Sequence, residues 1–271
     1  MELVKLNTTP TKTVDALKLA DYRIKASDPI PGNVYVAEIK NTKKFSRKNI
    51  SAWKGKAKAK KTFAMTMWGS SIIAGLDLYT TFRSYKKNQL LWIDTEMSPV
   101  DAQRVAIRME KLTGNTDNLF LYGFRPLSPA QRIEKIEEAL KLHKPDVLVI
   151  DGVRDLVWNI NDPVESTTVV TLIMKWSFDY DMHIAVVIHQ NNEGGARGHI
   201  GTELENKAET VIGVVRDETD INISEISESF GRGKGFDPFE FFIDDDGVPV
   251  VGGVDLDNSF PVIDPEEDAP F

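Results

Sequence analysis
Eight consecutive residues, Gly55-Lys56-Ala57-Lys58-Ala59-Lys60-Lys61-Thr62, have the types and spacing to grip a polyphosphate. They follow the pattern G-x-x-x-x-G-K-[ST] at every fixed place but one, where Lys60 replaces the second glycine. In such a turn the main-chain N–H groups and the N-terminus of the following helix wrap a β-phosphate, Lys61 reaches the β and γ oxygens, and Thr62 holds Mg²⁺. Phe63, next in line, completes the segment Gly55 to Phe63 expected to touch a nucleoside triphosphate. A Cβ at Lys60 restricts the backbone and crowds the phosphate, while the extra ammonium offsets part of that loss. The bland alternative for the same residues is a lysine-rich surface loop before a helix.

A phosphate loop of this kind works with carboxylates. Val147-Leu148-Val149-Ile150-Asp151 is a run of four apolar residues ending in an acid, about 90 residues downstream. An Asp at the carboxyl end of a buried parallel strand lies beside the loop and holds Mg²⁺ through water. Leu91-Trp92-Ile93-Asp94-Thr95-Glu96 ends a second such run. From there Glu96, supported by Asp94, can polarise the water that attacks the γ-phosphate. Helix capping is the competing role for each acid, since Ser98-Pro99 opens a helix directly after Glu96.

The elements that must carry these groups are visible in the apolar pattern. Val34 to Ile39 alternates as a strand, and Ile50 to Trp53 feeds the loop, which leads into a helix from Thr62 to Ala74. Short apolar runs at Gln89 to Asp94, Asn118 to Tyr122, Asp146 to Asp151 and His183 to Gln190 alternate with helical segments near 100–112, 129–142 and 164–180. Continuous apolar strands separated by amphipathic helices predict a parallel sheet covered on both faces. Thr210 to Val215, Ile221 to Ser229 and Phe239 to Ile243 predict an antiparallel addition. Residues 1–30 are polar, with at most one short helix around Val14 to Tyr22.

In this order the motifs resemble the RecA-like ATPases, and in particular the RepA-type and DnaB-type helicase ATPase domains of plasmids, phages and mobile elements. The resemblance runs from about Ile50 to Ile243. It rests on the phosphate loop, on Trp92-Ile93-Asp94-Thr95-Glu96-Met97-Ser98, on the strand ending at Asp151 and on Val187-Ile188-His189-Gln190-Asn191. In another register, Gly55-Lys56 is similar to the start of the deviant loop of partitioning ATPases, without its glycine pair. The resemblance to the helicase domains implies an α/β fold, a RecA-like P-loop NTPase core with a mostly parallel sheet sandwiched by helices and C-terminal antiparallel strands. It implies Glu96 as catalytic base, Lys61 on the phosphates, Asp151 and Thr62 at magnesium, and Gln190 or His189 as γ-phosphate sensor. The glycine-rich stretch from Asn192 to Gly201 is then a loop meeting single-stranded DNA through Arg197 and His199, or else a mobile surface loop. Arg232 and Lys234, in Phe230-Gly231-Arg232-Gly233-Lys234-Gly235, are fingers reaching a neighbouring subunit's nucleotide, or else a solvated turn.

Composition removes several other chemistries. With no cysteine there is no disulfide framework, thiol nucleophile or thiolate metal site, which fits a reducing cytoplasm. No run approaches the roughly eighteen apolar residues of a membrane span, so a soluble cytoplasmic protein with no membrane partner is expected. The net charge of −8 is uneven, because 11 acids and no Lys or Arg lie from Gly235 to Phe271. Residues 1–234 carry 33 basic against 30 acidic residues, and ten Lys or Arg fall between Lys40 and Lys61. An anionic ligand or a polynucleotide therefore stays admissible. The expected organisation is an N-terminal arm, 1–33, an ATPase domain, 34–252, and an acidic tail, 253–271. Ending in Phe271, that tail resembles the tips by which single-stranded DNA-binding proteins dock replication partners, and is otherwise a solubilising end. The expected function is an ATP-driven motor on single-stranded DNA, a homo-oligomer of six subunits. A filament-forming recombination or annealing protein and a nucleotide-binding adaptor with weak or no hydrolysis are the alternatives.

Overall fold
The computed structural model describes residues 19–191 and 194–252. The chain divides into two units, Met1–Gly32 and Asn33–Phe271. In the first, a 3-10 turn covers Leu19–Tyr22 and Asp28 accepts the N–H of Lys25. The rest of the expected helix around Val14 lies outside the described residues, as does the acidic tail.

The second unit begins with β1 (Tyr35–Ile39), β2 (Thr42–Ser46) and β3 (Ile50–Gly55), followed by α1 (Lys61–Ala74). Two short strands, β4 (Asp77–Leu78) and β5 (Phe82–Arg83), lead to β6 (Leu90–Asp94), α2 (Pro99–Thr113), β7 (Leu119–Gly123) and α3 (Pro129–His143). Then come β8 (Val147–Asp151), α4 (Pro163–Asp179), β9 (His183–His189), α5 (Gly198–Lys207) and β10 (Thr210–Arg216). Antiparallel β11 (Ile223–Gly231), β12 (Phe239–Ile243) and β13 (Pro249–Val251) finish the chain's described part. A nine-stranded sheet runs β13-β12-β11-β10-β3-β9-β8-β6-β7, parallel from β10 to β7 and antiparallel beyond. The expected fold is thus present: a P-loop NTPase core with C-terminal antiparallel strands.

Strand side chains point alternately to the two faces, so a sheet covered on both sides needs apolar residues at every position. Leu90, Trp92, Val147 and Val149 pack toward α1 and α2, while Leu91, Ile93, Leu148 and Ile150 pack with residues of α3 and α4. Helix α1 is buried on nearly all sides because a second sheet, β2-β1-β5-β4, roofs it. The strand expected at Val34 to Ile39 belongs to this small sheet and not to the parallel core. The segment expected to be a glycine-rich loop up to Gly201 is corrected too: α5 begins at Gly198 and takes in His199. Among the described residues no helix is long and apolar enough to cross a membrane.

At the amino end of β9, fully buried His183 ties three strands together. Its Nδ1 donates to the Ser46 carbonyl (2.9 Å), and its Nε2 accepts from the Ser51 hydroxyl (2.8 Å). Burial depresses its pKa from 6.5 to about 4, against the opposing pull of the Ser46 carbonyl. The unfolded chain therefore binds this proton first. The neutral ring's contribution, at most about 3 kcal/mol, is complete above pH 6.5 and is lost as pH falls toward 4. Asp151 and Glu209, both raised by burial, titrate in the opposite sense, so the informative comparison is with His183→Gln. Between pH 7 and pH 4.5 the urea midpoint of the wild type is expected to fall more steeply than that of the variant; parallel declines refute the assignment.

Candidate nucleotide site
The parallel strands end together. Gly55 of β3 is in register with His189 of β9, and Asp94 of β6 with Asp151 of β8. This is the carboxyl edge at which α/β sheets bind ligands. From Gly55 the chain makes a tight turn into α1, whose first N–H groups have no partner within the helix. Lys60 caps the helix at φ 65° and ψ 30°, a left-handed geometry that glycine takes freely. Lys58 has φ 64°. Each costs roughly 1 kcal/mol over a glycine. The Lys60 ammonium is tied to the Ile221 carbonyl in the turn between β10 and β11. Gly55 is needed for a different reason, since a Cβ there would sit 2.3 Å from the Val214 carbonyl oxygen of β10.

Lys61 points back into the loop, donating to the carbonyls of Gly55 and Lys56, both at 2.9 Å. Burial lowers its pKa, while Asp151 and Glu96 oppose that shift. Such an ammonium exchanges two neutral acceptors for phosphate oxygens when an anion fills the turn. Thr62 donates to Asp151 Oδ2 at 2.9 Å. Burial, and then the charge of Asp94, raises Asp151 to about 7. A divalent cation held by Thr62 and Asp151 would relieve that pressure by supplying countercharge. One carboxylate and one hydroxyl suit Mg²⁺, which keeps waters and phosphate oxygens as its other ligands. Among the described residues no cluster of three or more His, Cys, Asp or Glu forms an all-protein cage for a metal.

Asp94 supports Glu96 by geometry. Its Oδ1 accepts the N–H of Glu96 (3.0 Å) and of Met97 (2.7 Å), so the turn after β6 presents Glu96 over the cleft. Glu96 Oε1 lies 3.2 Å from His189 Nε2, and that hydrogen bond is the main cause that lowers the Glu96 pKa. Gly152, which sequence reasoning missed, makes this approach possible. It sits at φ 100°, and a Cβ there would lie 2.2 Å from Thr95 Oγ1 and 2.8 Å from Glu96 Cγ. The glycine directly after the strand-ending Asp was the available signal.

Lys58 to Phe63, Glu96, Asp151 and His189 line one cleft of about 460 Å³, within the range of small-molecule sites. Its far wall carries Arg104 and Arg108 of α2, also missed, although two arginines four apart after Glu96 share a helix face. Arg108 lies 4.1 Å from the centre of the Phe63 ring and donates to the Gly247 carbonyl.

The remaining expected residues divide. His189 faces the cleft, whereas Gln190 turns its amide to the Gly194 carbonyl (2.9 Å) and its backbone N–H to Gly55 (3.1 Å). Arg197 is exposed, just before α5, and His199 lies in the first turn of that helix instead of on a loop. A partly buried ion pair, Lys54 Nζ to Glu205 Oε1 at 2.6 Å, ties α5 to the strand that feeds the phosphate loop. The other oxygen of Glu205 holds the N–H of Ala196. Arg232 and Lys234 are exposed at the opposite end of the sheet, since Gly231 pairs with Thr210 at the start of β10. They are not brought to this chain's own cleft. A family model described as an AAA domain matches residues 40–195, more than half of the chain, including Gly55 to Phe63, Glu96, Asp151 and His189. No curated protein matches the chain.

Proposed function
The chain belongs to the AAA domain family of P-loop ATPases, and on that premise we propose that it is an ATP-hydrolysing motor of the RepA and DnaB type, acting on single-stranded DNA as a ring of six subunits. One observation carries the reading: Lys61, Thr62, Asp151 and Glu96 border a single cleft at the carboxyl edge of the sheet. Lys61 and the first amides of α1 bind the phosphates, and Thr62 and Asp151 are the residues that would hold Mg²⁺, whose positive charge would offset that of the phosphates. Glu96 takes the proton of the attacking water, and His189 orients Glu96 from the end of β9, across β8. Arg197 faces solvent beyond His189, where a nucleic-acid phosphate can reach it.

An adaptor that binds nucleotide without hydrolysis is favoured by the left-handed backbone of both Lys58 and Lys60. Turnover decides. Phosphate release is measured with Mg²⁺-ATP, with and without oligothymidylate, alongside displacement of one strand from a forked duplex. The motor predicts turnover that rises with the single strand, together with displacement. No turnover in either condition favours the adaptor, and strand pairing without displacement favours a recombination protein.

A further inference from the structure
The chain has five tryptophans, of which Trp53, Trp68, Trp92 and Trp176 are buried while Trp158 is 75% exposed. The backbone beneath that indole is well fixed. Buried Val153, Leu156 and Val157 precede it. The N–H groups of Trp158 and Asn159 donate to the two carboxylate oxygens of Glu165 (2.8 and 3.1 Å). Two residues on, the Ile160 carbonyl accepts the N–H of His199 (2.7 Å), which joins this segment to the one bearing Arg197. Gly198 permits that contact, since a Cβ there would lie 2.8 Å from the Ile160 oxygen. Arg154, Ile160, His189 and Arg197 line one narrow crevice beside it. The exposed indole therefore stands on a fixed turn two residues before Ile160, which lines that crevice together with Arg154 and Arg197. The acids of this segment are engaged: Glu165 and Asp162 with backbone N–H groups, and Asp155 with the Thr95 hydroxyl (3.0 Å) and Arg154 (3.7 Å).

We propose that Trp158 is a stacking platform for an unpaired nucleobase, with Arg154 and Arg197 seating the phosphates of the same strand. This deepens the single-strand reading above and rests on it. Base faces are hidden in a duplex and open in a single strand, so an exposed aromatic ring on a surface that also carries arginines selects unpaired nucleic acid with little regard to sequence. His189 lines both this crevice and the nucleotide cleft, and Arg154 is among the charges that lower the Glu96 pKa. A strand seated here is therefore electrostatically adjacent to Glu96.

Because the other four indoles are buried, Trp158 is the indole open to contact quenching by a bound base. The full-length protein is titrated with a 5′-labelled oligothymidylate, with a duplex of equal length, and with oligouridylate to tell DNA from RNA. The expected results are quenching of the exposed indole on single-strand binding, weaker duplex binding, and a loss of about 5- to 100-fold in affinity for Trp158→Ala with an unchanged salt slope. Trp158→Phe recovers most of that loss, while Arg154→Ala lowers the salt slope by about one. Undiminished affinity of Trp158→Ala overturns the proposal. So does unchanged emission of the wild type at saturation, or a variant that alters assembly but not strand affinity, which makes the ring a subunit contact. If the wild type binds no oligonucleotide, the single-strand reading falls as well; if it binds equally well without Trp158, this inference alone falls.

Discussion
Glu96→Gln is expected to lower the turnover number for ATP by about 10²- to 10⁴-fold while changing nucleotide affinity by no more than about twofold. Glutamine has the same shape and can keep a hydrogen bond to His189, so only the capacity to accept a proton is lost. In the wild type, the His189 hydrogen bond lowers the Glu96 pKa first, and the charges of His189, Arg154 and Lys61 add to it against desolvation. Glu96 is therefore a carboxylate near neutrality, ready to accept a proton. Asp94 is no substitute: its Oδ1 is bound by two backbone N–H groups, and burial raises its pKa. Lys61→Ala is the contrasting variant, weakening binding as well as turnover because its ammonium meets the phosphates in the ground state. Steady-state phosphate release and equilibrium binding of a fluorescent ATP analogue separate the two. Turnover of Glu96→Gln at the wild-type rate removes Glu96 from the chemistry.

The parallel core was legible because strands buried on both faces read as unbroken apolar runs. Leu90–Asp94 and Val147–Asp151 do so, and each ends in a carboxylate at the sheet edge. Helices α2, α3 and α4 were legible as amphipathic segments between apolar runs, α2 also from Ser98-Pro99; the structure shows the same capping side chain followed by proline at Ser128-Pro129 and Asp162-Pro163. Helix α5 was not, because its first turn holds Gly198 and Gly201, poor helix formers whose presence answers to tertiary contacts. Gly198 admits the Ile160 carbonyl, and Gly201 lies against Ala196. Between His189 and Gln190 the motif alone could not choose. Alternation along β9 could have: Ala185 and Val187 belong to the core toward α1, and His189 continues that face. Lys60 shows a different limit. Its identity announced a missing glycine, but only the fold shows that the lysine adopts glycine's backbone geometry and anchors its ammonium on the β10–β11 turn.

Arg232 tests assembly most sharply, because the sheet topology removes any action on its own nucleotide. β11 runs antiparallel to β10 and ends at Gly231, opposite Thr210, whereas the phosphate loop leaves the sheet at the far end of β3. Arg232 is held there by its backbone N–H to the Glu209 carbonyl (3.0 Å), with the guanidinium exposed. A cation so placed can meet a γ-phosphate only in another copy, through a head-to-tail contact of the kind that closes rings. Arg232→Ala is then expected to lose about 10³-fold or more in turnover, as removal of an arginine finger does, with folding intact because the side chain is solvated. Lys234→Ala should lose less, an ammonium lacking the two-pronged reach of a guanidinium. The decisive measurement mixes subunits. Arg232→Ala and Glu96→Gln are each nearly inactive alone. When co-assembled in equal amounts, about a quarter of the head-to-tail interfaces pair an intact Glu96 with an intact Arg232 from the neighbour. Recovery of about that share of wild-type turnover establishes action in trans. Full activity of Arg232→Ala alone, or no recovery on mixing when both variants enter the same particles, eliminates the finger.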